Sequence, residues 1–209
     1  MAGRFITIEG SEGVGKSTNL AFVCDFLQRH GIEVERTREP GGTPIAEAIR
    51  EVVLADHAEA LGPDTEVLLM FAARAVHLAN RVRPALAAGR WVVCDRFTDA
   101  TFAYQGAGRG VDPEWIQGLA DHVHPDLWPD CTLLLDAPPA IGRDRAAKRG
   151  EPDRIEQEDN TFFERVRGAY LARADREPRR FRVIDATASL EEVQREIGGA
   201  LAALVERLG

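Results

Sequence analysis

Residues Gly10-Ser11-Glu12-Gly13-Val14-Gly15-Lys16-Ser17 follow the apolar run Phe5-Ile6-Thr7-Ile8 and precede a stretch with helical periodicity. A G-x-x-x-x-G-K-[ST] pattern set between a strand and a helix constrains this chain more than any other feature. Its glycines let the backbone turn N–H groups inward as an anion nest, and the helix that follows adds the partial positive charge of its N-terminus. ATP phosphates are the natural guest. Gly10 to Ser17, with Thr18 beside them, form the nucleotide-binding set; Lys16 is expected at the β- and γ-phosphates and the Ser17 hydroxyl at a bridging Mg2+. A glycine turn that only closes a strand onto a helix is the competing explanation, and the placement disfavours it.

The rest of the chain alternates β-rich runs, at residues 4–9, 32–37, 90–95, 131–136 and 181–185, with segments mostly long enough for crossover helices. The alternation reads as a parallel, doubly wound α/β sheet, and with the phosphate loop the expected fold is the P-loop NTPase fold: a five-stranded parallel sheet, helices on both faces, and a short lid. Leu20, Val23, Cys24 and Leu27 keep the spacing of one buried face, so residues 16–30 read as a helix that Gly31 stops. Pro44 opens a shorter helix patterned by Ile45, Ile49, Val52 and Val53, and a longer one runs through 64–88. Asp112-Pro113 is an N-cap followed by proline at the first helical position. Ser189 and Glu192 have capping-box spacing ahead of Val193, Ile197, Leu201 and Leu204.

With 209 residues and no linker or repeat, a single domain over 1–209 is expected. A net charge of -8 argues against nucleic-acid or anionic-membrane partners, so an anionic ligand must be caught by a local pocket. Cys24, Cys94 and Cys131 are odd in number, far apart and in apolar surroundings, and read as reduced core residues. Met1 leads straight into a strand-like run and no span reaches the length of a membrane helix, which predicts a cytoplasmic protein.

Four clusters follow the phosphate loop: Thr37-Arg38-Glu39-Pro40-Gly41-Gly42, Phe71-Ala72-Ala73-Arg74, Asp95-Arg96-Phe97 and Ala103-Tyr104-Gln105-Gly106, with Asp153-Arg154-Ile155-Glu156 beyond them. In this order and spacing the chain resembles the bacterial thymidylate kinases over essentially its whole length. The resemblance implies transfer of the terminal phosphoryl group of ATP to dTMP with Mg2+, and a homodimer. Asp95 and Arg96 fall at the carboxyl end of a buried strand, where ligands bind in open α/β sheets. By resemblance Arg96 binds the dTMP phosphate, while Asp95 lies near the metal. Phe71 and Arg74 share a helical face; the matching family residues stack on thymine and hydrogen-bond to its carbonyl edge. Phe71 also belongs to an apolar stripe, and core packing competes with that role. Thr101 and Gln105 match base contacts. Tyr104 matches a residue near the deoxyribose, where simple packing competes. Glu12 matches an acidic position facing the acceptor's 3′-hydroxyl. Arg38, Glu39 and Pro40 lead into a tight turn over the acceptor, with Arg38 adding to the phosphate clamp.

Phosphoryl transfer leaves charge on the moving group, and an arginine that neutralises it can be worth roughly 10³-fold or more. Residues 142–158 are densely charged and read as a mobile lid carrying Arg143, Arg145, Lys148, Arg149 and Arg154. With Val14 in the loop, the resemblance is to the class whose lid supplies the arginine. Arg149 beside Gly150 is the first candidate, with Arg145 and Arg154 next; one family pattern has another arginine where this chain has Ala147. Asp185-Ala186-Thr187 resembles a loop bordering adenine. The alternatives are another nucleoside monophosphate or deoxynucleoside kinase on the same scaffold, and a non-kinase P-loop switch, for which the chain has no N-K-x-D motif.

Overall fold

Each of the five β-rich runs forms a strand: β1 (Phe5–Glu9), β2 (Val34–Arg38), β3 (Trp91–Asp95), β4 (Cys131–Asp136) and β5 (Phe181–Asp185). The structure, a computed structural model, describes residues 3–146 and 153–208. All neighbours pair in parallel, in the order β2-β3-β1-β4-β5. β1 is central, with Ile8 beside Asp95 and Ile6 beside Cys131. The carboxyl ends of the strands therefore bring Glu9, Arg38, Asp95, Asp136 and Asp185 to one edge.

Side chains alternate along a strand, so the two faces of β1 meet different helices. Ile6 and Ile8 pack with Val23 and Leu27 of α1 (Lys16–Arg29) and Ile197 and Leu201 of α9 (Leu190–Leu208). Phe5 faces the other way, against Leu78, Val82 and Phe97. Leu134 meets Phe162, Phe163 and Tyr170 of α8 (Asn160–Arg176). These side chains are essentially inaccessible, and each contributes about 1.5–3 kcal/mol of apolar burial. Cys94 and Cys131 are buried as expected, but Cys24 is only partly so, because it sits at the edge of the α1 stripe.

The helix ends follow from local chemistry. Gly31 takes φ +75° after α1, where its N–H bonds to Gln28 O at 2.9 Å and that of Ile32 to Leu27 O at 3.1 Å. This stop consumes Ile32, which is why β2 begins at Val34 and not at residue 32. α2 (Pro44–Leu54), α3 (Pro63–His77) and α6 (Pro113–Val123) each start on a proline. Asp112 Oδ1 accepts from Glu114 N at 2.9 Å at the start of α6. The Ser189–Glu192 box closes both ways at α9, at 3.0 and 3.3 Å. The long helix expected over 64–88 is interrupted: α3 passes into a π-helical turn, Leu78–Val82, and then α4 (Arg83–Ala87). Pro84 has no N–H and its ring crowds the carbonyl one turn back, so the ladder widens upstream. A second π-helical turn, Phe102–Gly108, follows α5 (Thr98–Thr101). The charged segment opens as α7 (Pro139–Ala146).

Candidate active site

The phosphate loop leaves β1 through Gly10, Gly13 and Gly15, at φ +139°, +72° and +92°. Gly13 is fixed by space as well as by φ, since a Cβ there would meet Gly142 O of α7 at 1.8 Å. Gly15 caps α1 without a side-chain bond, which leaves the first-turn N–H groups for an anion. Lys16 Nζ donates to Gly10 O at 3.1 Å and Ser11 O at 2.6 Å. Burial, with Arg96 adding to it, holds the Lys16 ammonium below its ordinary value. Ser17 and Thr18 are exposed on the first turn, while Ser11 and Val14 are buried.

Asp95 and Arg96 end β3 beside this loop. Arg96 is the one non-glycine at positive φ (+69°) among the described residues. That conformation costs about 1–2 kcal/mol and is held by long-range bonds, Arg96 N to Ile8 O at 3.0 Å and Cys94 Sγ to Arg96 O at 3.0 Å. The guanidinium is thereby turned back over the loop. Its Nη1 donates to Gly10 O at 2.8 Å and to the Tyr170 hydroxyl at 3.3 Å, its Nη2 pairs with Glu12, and it lies 4.7 Å from the Tyr104 ring centre. The Tyr104 hydroxyl also donates to Glu12, at 3.3 Å, and burial raises its pKa.

Two clefts meet at this arginine. The first is bordered by Pro40, Met70, Tyr104 and Gln105, the second by Gly13, Lys16, Ser17, Arg38 and Asp95, and both are lined by Glu12, Glu39, Arg50, Arg96 and Asp153. An acceptor in the first and a polyphosphate in the second would therefore present to each other across Arg96.

Behind the first cleft lies a buried polar chain. Arg74 donates from Nε to Glu39 Oε2 at 2.8 Å and from Nη2 to Thr101 Oγ1 at 3.0 Å. His77 Nδ1 meets Glu39 Oε1 at 2.9 Å, and its Nε2 meets Thr37 Oγ1 at 2.6 Å. Burial opposes the charge on Glu39, yet Arg74 and His77 hold its carboxyl below the ordinary value. Phe71 packs among Val67, Phe102 and Ile116, and the Arg74 guanidinium sits 4.7 Å above its ring. It is not among the lining residues of the first cleft and stands one layer behind.

A sequence model of the thymidylate kinase family matches residues 8–197. The chain belongs to the thymidylate kinase family. It is 63% identical to the thymidylate kinase of Chromohalobacter salexigens over 209 residues, covering 99% of this chain and 97% of that protein. It is 56% identical to the Pseudomonas putida enzyme over 207 residues, 99% of each chain. A crystal structure of thymidylate kinase from Ehrlichia chaffeensis superposes with a TM-score of 0.78 at 32% identity, over 96% of this chain and 99% of that one, and bears out the P-loop NTPase fold. As a thymidylate kinase the chain is a phosphotransferase that moves the terminal phosphoryl group of ATP onto dTMP, giving dTDP and ADP in dTTP biosynthesis.

Within this family framework the expected site residues divide into three groups. Glu12, Lys16, Glu39, Pro40, Asp95, Arg96, Tyr104 and Gln105 converge on the paired clefts, with Arg74 and Thr101 directly behind. Arg38 stands at the rim of the second cleft and is paired with Glu47 at 2.7 Å. The lid residues are scattered. Arg145 Nη1 donates to Ala186 O at 2.9 Å, on the loop after β5. Arg154 is held by Val53 O at 2.9 Å and by Glu66, and Arg149 lies outside the described residues.

Sequence reasoning missed Glu9, Arg50, Glu66, His77 and Tyr170. Glu9 is buried at the end of β1, where Oε1 accepts from Phe97 N at 2.7 Å and Oε2 from the Tyr170 hydroxyl at 2.8 Å. Burial, reinforced by Asp99, pushes its pKa up to about 8. Arg50 Nη1 donates to Pro40 O at 3.1 Å over the shared floor of the clefts. A signal for two of these exists: Glu66, Arg74 and His77 share one helical face with the apolar Met70, at spacings of four, four and three, and all four turn out buried.

Proposed function

We propose that dTMP occupies the first cleft with its phosphate against Arg96, and that the ATP polyphosphate lies in the Gly10–Ser17 loop with Lys16. The observation that carries this reading is a pair of unspent polar atoms, one on the wall of the first cleft and one in the layer behind it. Arg74 Nη1 and Gln105 Oε1 are both buried with no hydrogen-bond partner. A free donor and a free acceptor complement the O4 carbonyl and N3–H of thymine, and oppose cytosine, which presents an amino group and a bare N3. Phe71 serves the base pocket through the guanidinium it carries. Tyr104 and Glu12 face the sugar, and Arg38, Arg50 and Pro40 close the phosphate side.

Ser17 and Asp95 suit a magnesium ion: Asp95 Oδ1 is a buried oxygen without a hydrogen-bond partner, and the exposed Ser17 borders the same cleft. Held there with ATP, Mg2+ would supply neutralisation of the phosphate charge. Everything else the reaction needs is alignment and fixed charge, supplied by Arg96, Lys16 and a lid arginine, with Arg149 the first choice. The bond from Arg145 to Ala186 O supports a role for Arg145 on the adenine side. Lid closure would exclude water from the transferring group.

We assign the chain to the cytoplasm as a homodimer. Among the described residues no helix is long and apolar enough to cross a membrane. α2 and α3 leave Ile45, Val52 and Leu68 exposed, an apolar surface that a second copy would cover. The deciding experiment is steady-state ADP release with ATP and Mg2+, comparing dTMP, dUMP, dCMP, dGMP, AMP and thymidine at equal concentration. Strong preference for dTMP supports the pocket; preference for dCMP overturns the assignment of Arg74 and Gln105.

A further inference from the structure

We infer that Glu66, which touches neither cleft, is the positioning residue that makes the acceptor site read thymine and reject cytosine. The inference rests on the placement of the base beside Gln105 proposed above.

A glutamine amide presents an acceptor at one corner and a donor at the other, and rotation by half a turn exchanges them. Whether the cleft offers an acceptor or a donor is therefore decided by whatever holds the far corner. Here that partner is Glu66. Gln105 Nε2 donates to Glu66 Oε1 at 2.7 Å, which turns Oε1 the opposite way, where it has no partner. An ionised carboxylate offers acceptors only, so it admits one orientation of the amide and excludes the other. Glu66 is 1% exposed and Gln105 2%, so water does not compete at this corner.

The same carboxylate is also held by two arginines, one at each oxygen. Arg154 Nη2 bonds Glu66 Oε2, and Arg109 Nε approaches Oε1 at 3.5 Å. Arg154 is itself fixed by two bonds to Val53 O, at 3.0 and 2.9 Å. Arg109 pairs onward with Glu158. Glu66 is thus held at both oxygens, and the bond from Gln105 to Oε1 does not depend on Arg154. A neutral amide in its place can donate to Gln105 Oε1 as readily as it accepts from Nε2, and the orientation that meets cytosine's N3 becomes available.

The test compares kcat/KM for dTMP and dCMP in four proteins: wild type, Glu66→Gln, Arg154→Ala and Gln105→Ala. Melting temperature and the KM for ATP are measured alongside. Glu66→Gln is expected to lower the dTMP to dCMP ratio by about tenfold or more, with the ATP KM within about twofold of wild type. Arg154→Ala is expected to lower turnover but leave the ratio intact, because the carboxylate still faces Gln105. A wild-type ratio in folded Glu66→Gln overturns the inference, as does an equal loss of ratio in Arg154→Ala. Should Glu66→Gln not fold, Glu66→Asp withdraws the acceptor by one methylene while keeping the charge; the same fall in ratio is expected, and an unchanged ratio refutes the role. Gln105→Ala separates the two levels. A wild-type ratio there removes the base reading itself, whereas a collapsed ratio beside an unaffected Glu66→Gln removes only the part assigned to Glu66.

Discussion

Arg96→Lys tests the centre of the site more cleanly than removal of the side chain. Alanine would strip Glu12 of its ion-pair partner in a pocket where the two side chains are only 14% and 21% exposed, and the resulting unpaired charge would confuse lost catalysis with lost structure. Lysine keeps the positive charge but replaces a planar fork with a single point donor. From the structure it forfeits the bond to Gly10 O at 2.8 Å or the pairing with Glu12, since one ammonium cannot span both, and it loses the flat stacking over Tyr104. One charged hydrogen bond is worth about 1.5–3 kcal/mol and two-point recognition of the acceptor phosphate is lost with it, so kcat/KM for dTMP should fall about 10²–10³-fold. Lysine suffers no more than arginine from the +69° φ, so the melting temperature should stay within about 4 °C. The assay is coupled ADP release over a dTMP series, with ATP affinity measured separately by calorimetry and expected to change less than about threefold. A kcat/KM within threefold of wild type would refute the fork, leaving Arg96 as a simple counter-charge.

Lys16→Ala should nearly abolish transfer, by about 10³-fold or more, without unfolding the chain; near-normal ADP release with dTMP would contradict its role at the phosphates. Phe71→Leu, chosen because truncation to alanine in so buried a site costs about 3–5 kcal/mol of stability, removes the ring beneath Arg74. It should raise the dTMP KM about three- to tenfold with little change for ATP, and equal effects on both would show that Phe71 matters only to the core. The pH dependence of stability tests Glu9. Its folded pKa, about 8, exceeds the ordinary 4.5, so the folded state binds the extra proton between those values. That contribution is complete below about 4.5 and is lost as pH rises through about 8, by up to about 5 kcal/mol. Denaturant titrations from pH 5 to 9 should show wild type losing stability relative to Glu9→Gln; parallel curves would mean that Glu9 is ionised throughout.

What the sequence determines by itself is whatever depends on neighbours along the chain. The phosphate loop, the strand that feeds it, the proline and capping-box helix starts, the glycine stop at Gly31 and the position of Asp95-Arg96 at a strand end are all local statements, and the structure realises each of them. What only the tertiary structure decides is how buried charge is compensated, because those partners are remote. Arg74 finds Glu39 across 35 positions, Gln105 finds Glu66 across 39, and Tyr170 finds Glu9 across 161. A residue such as Glu66 reads as an ordinary helix glutamate until the fold withdraws it from water, and then its desolvation cost forces it to bind whatever donors face it. The same reason puts Phe71 behind the pocket: an aromatic on an apolar stripe suits either the cleft wall or the layer beneath, and packing against Val67, Phe102 and Ile116 selected the second.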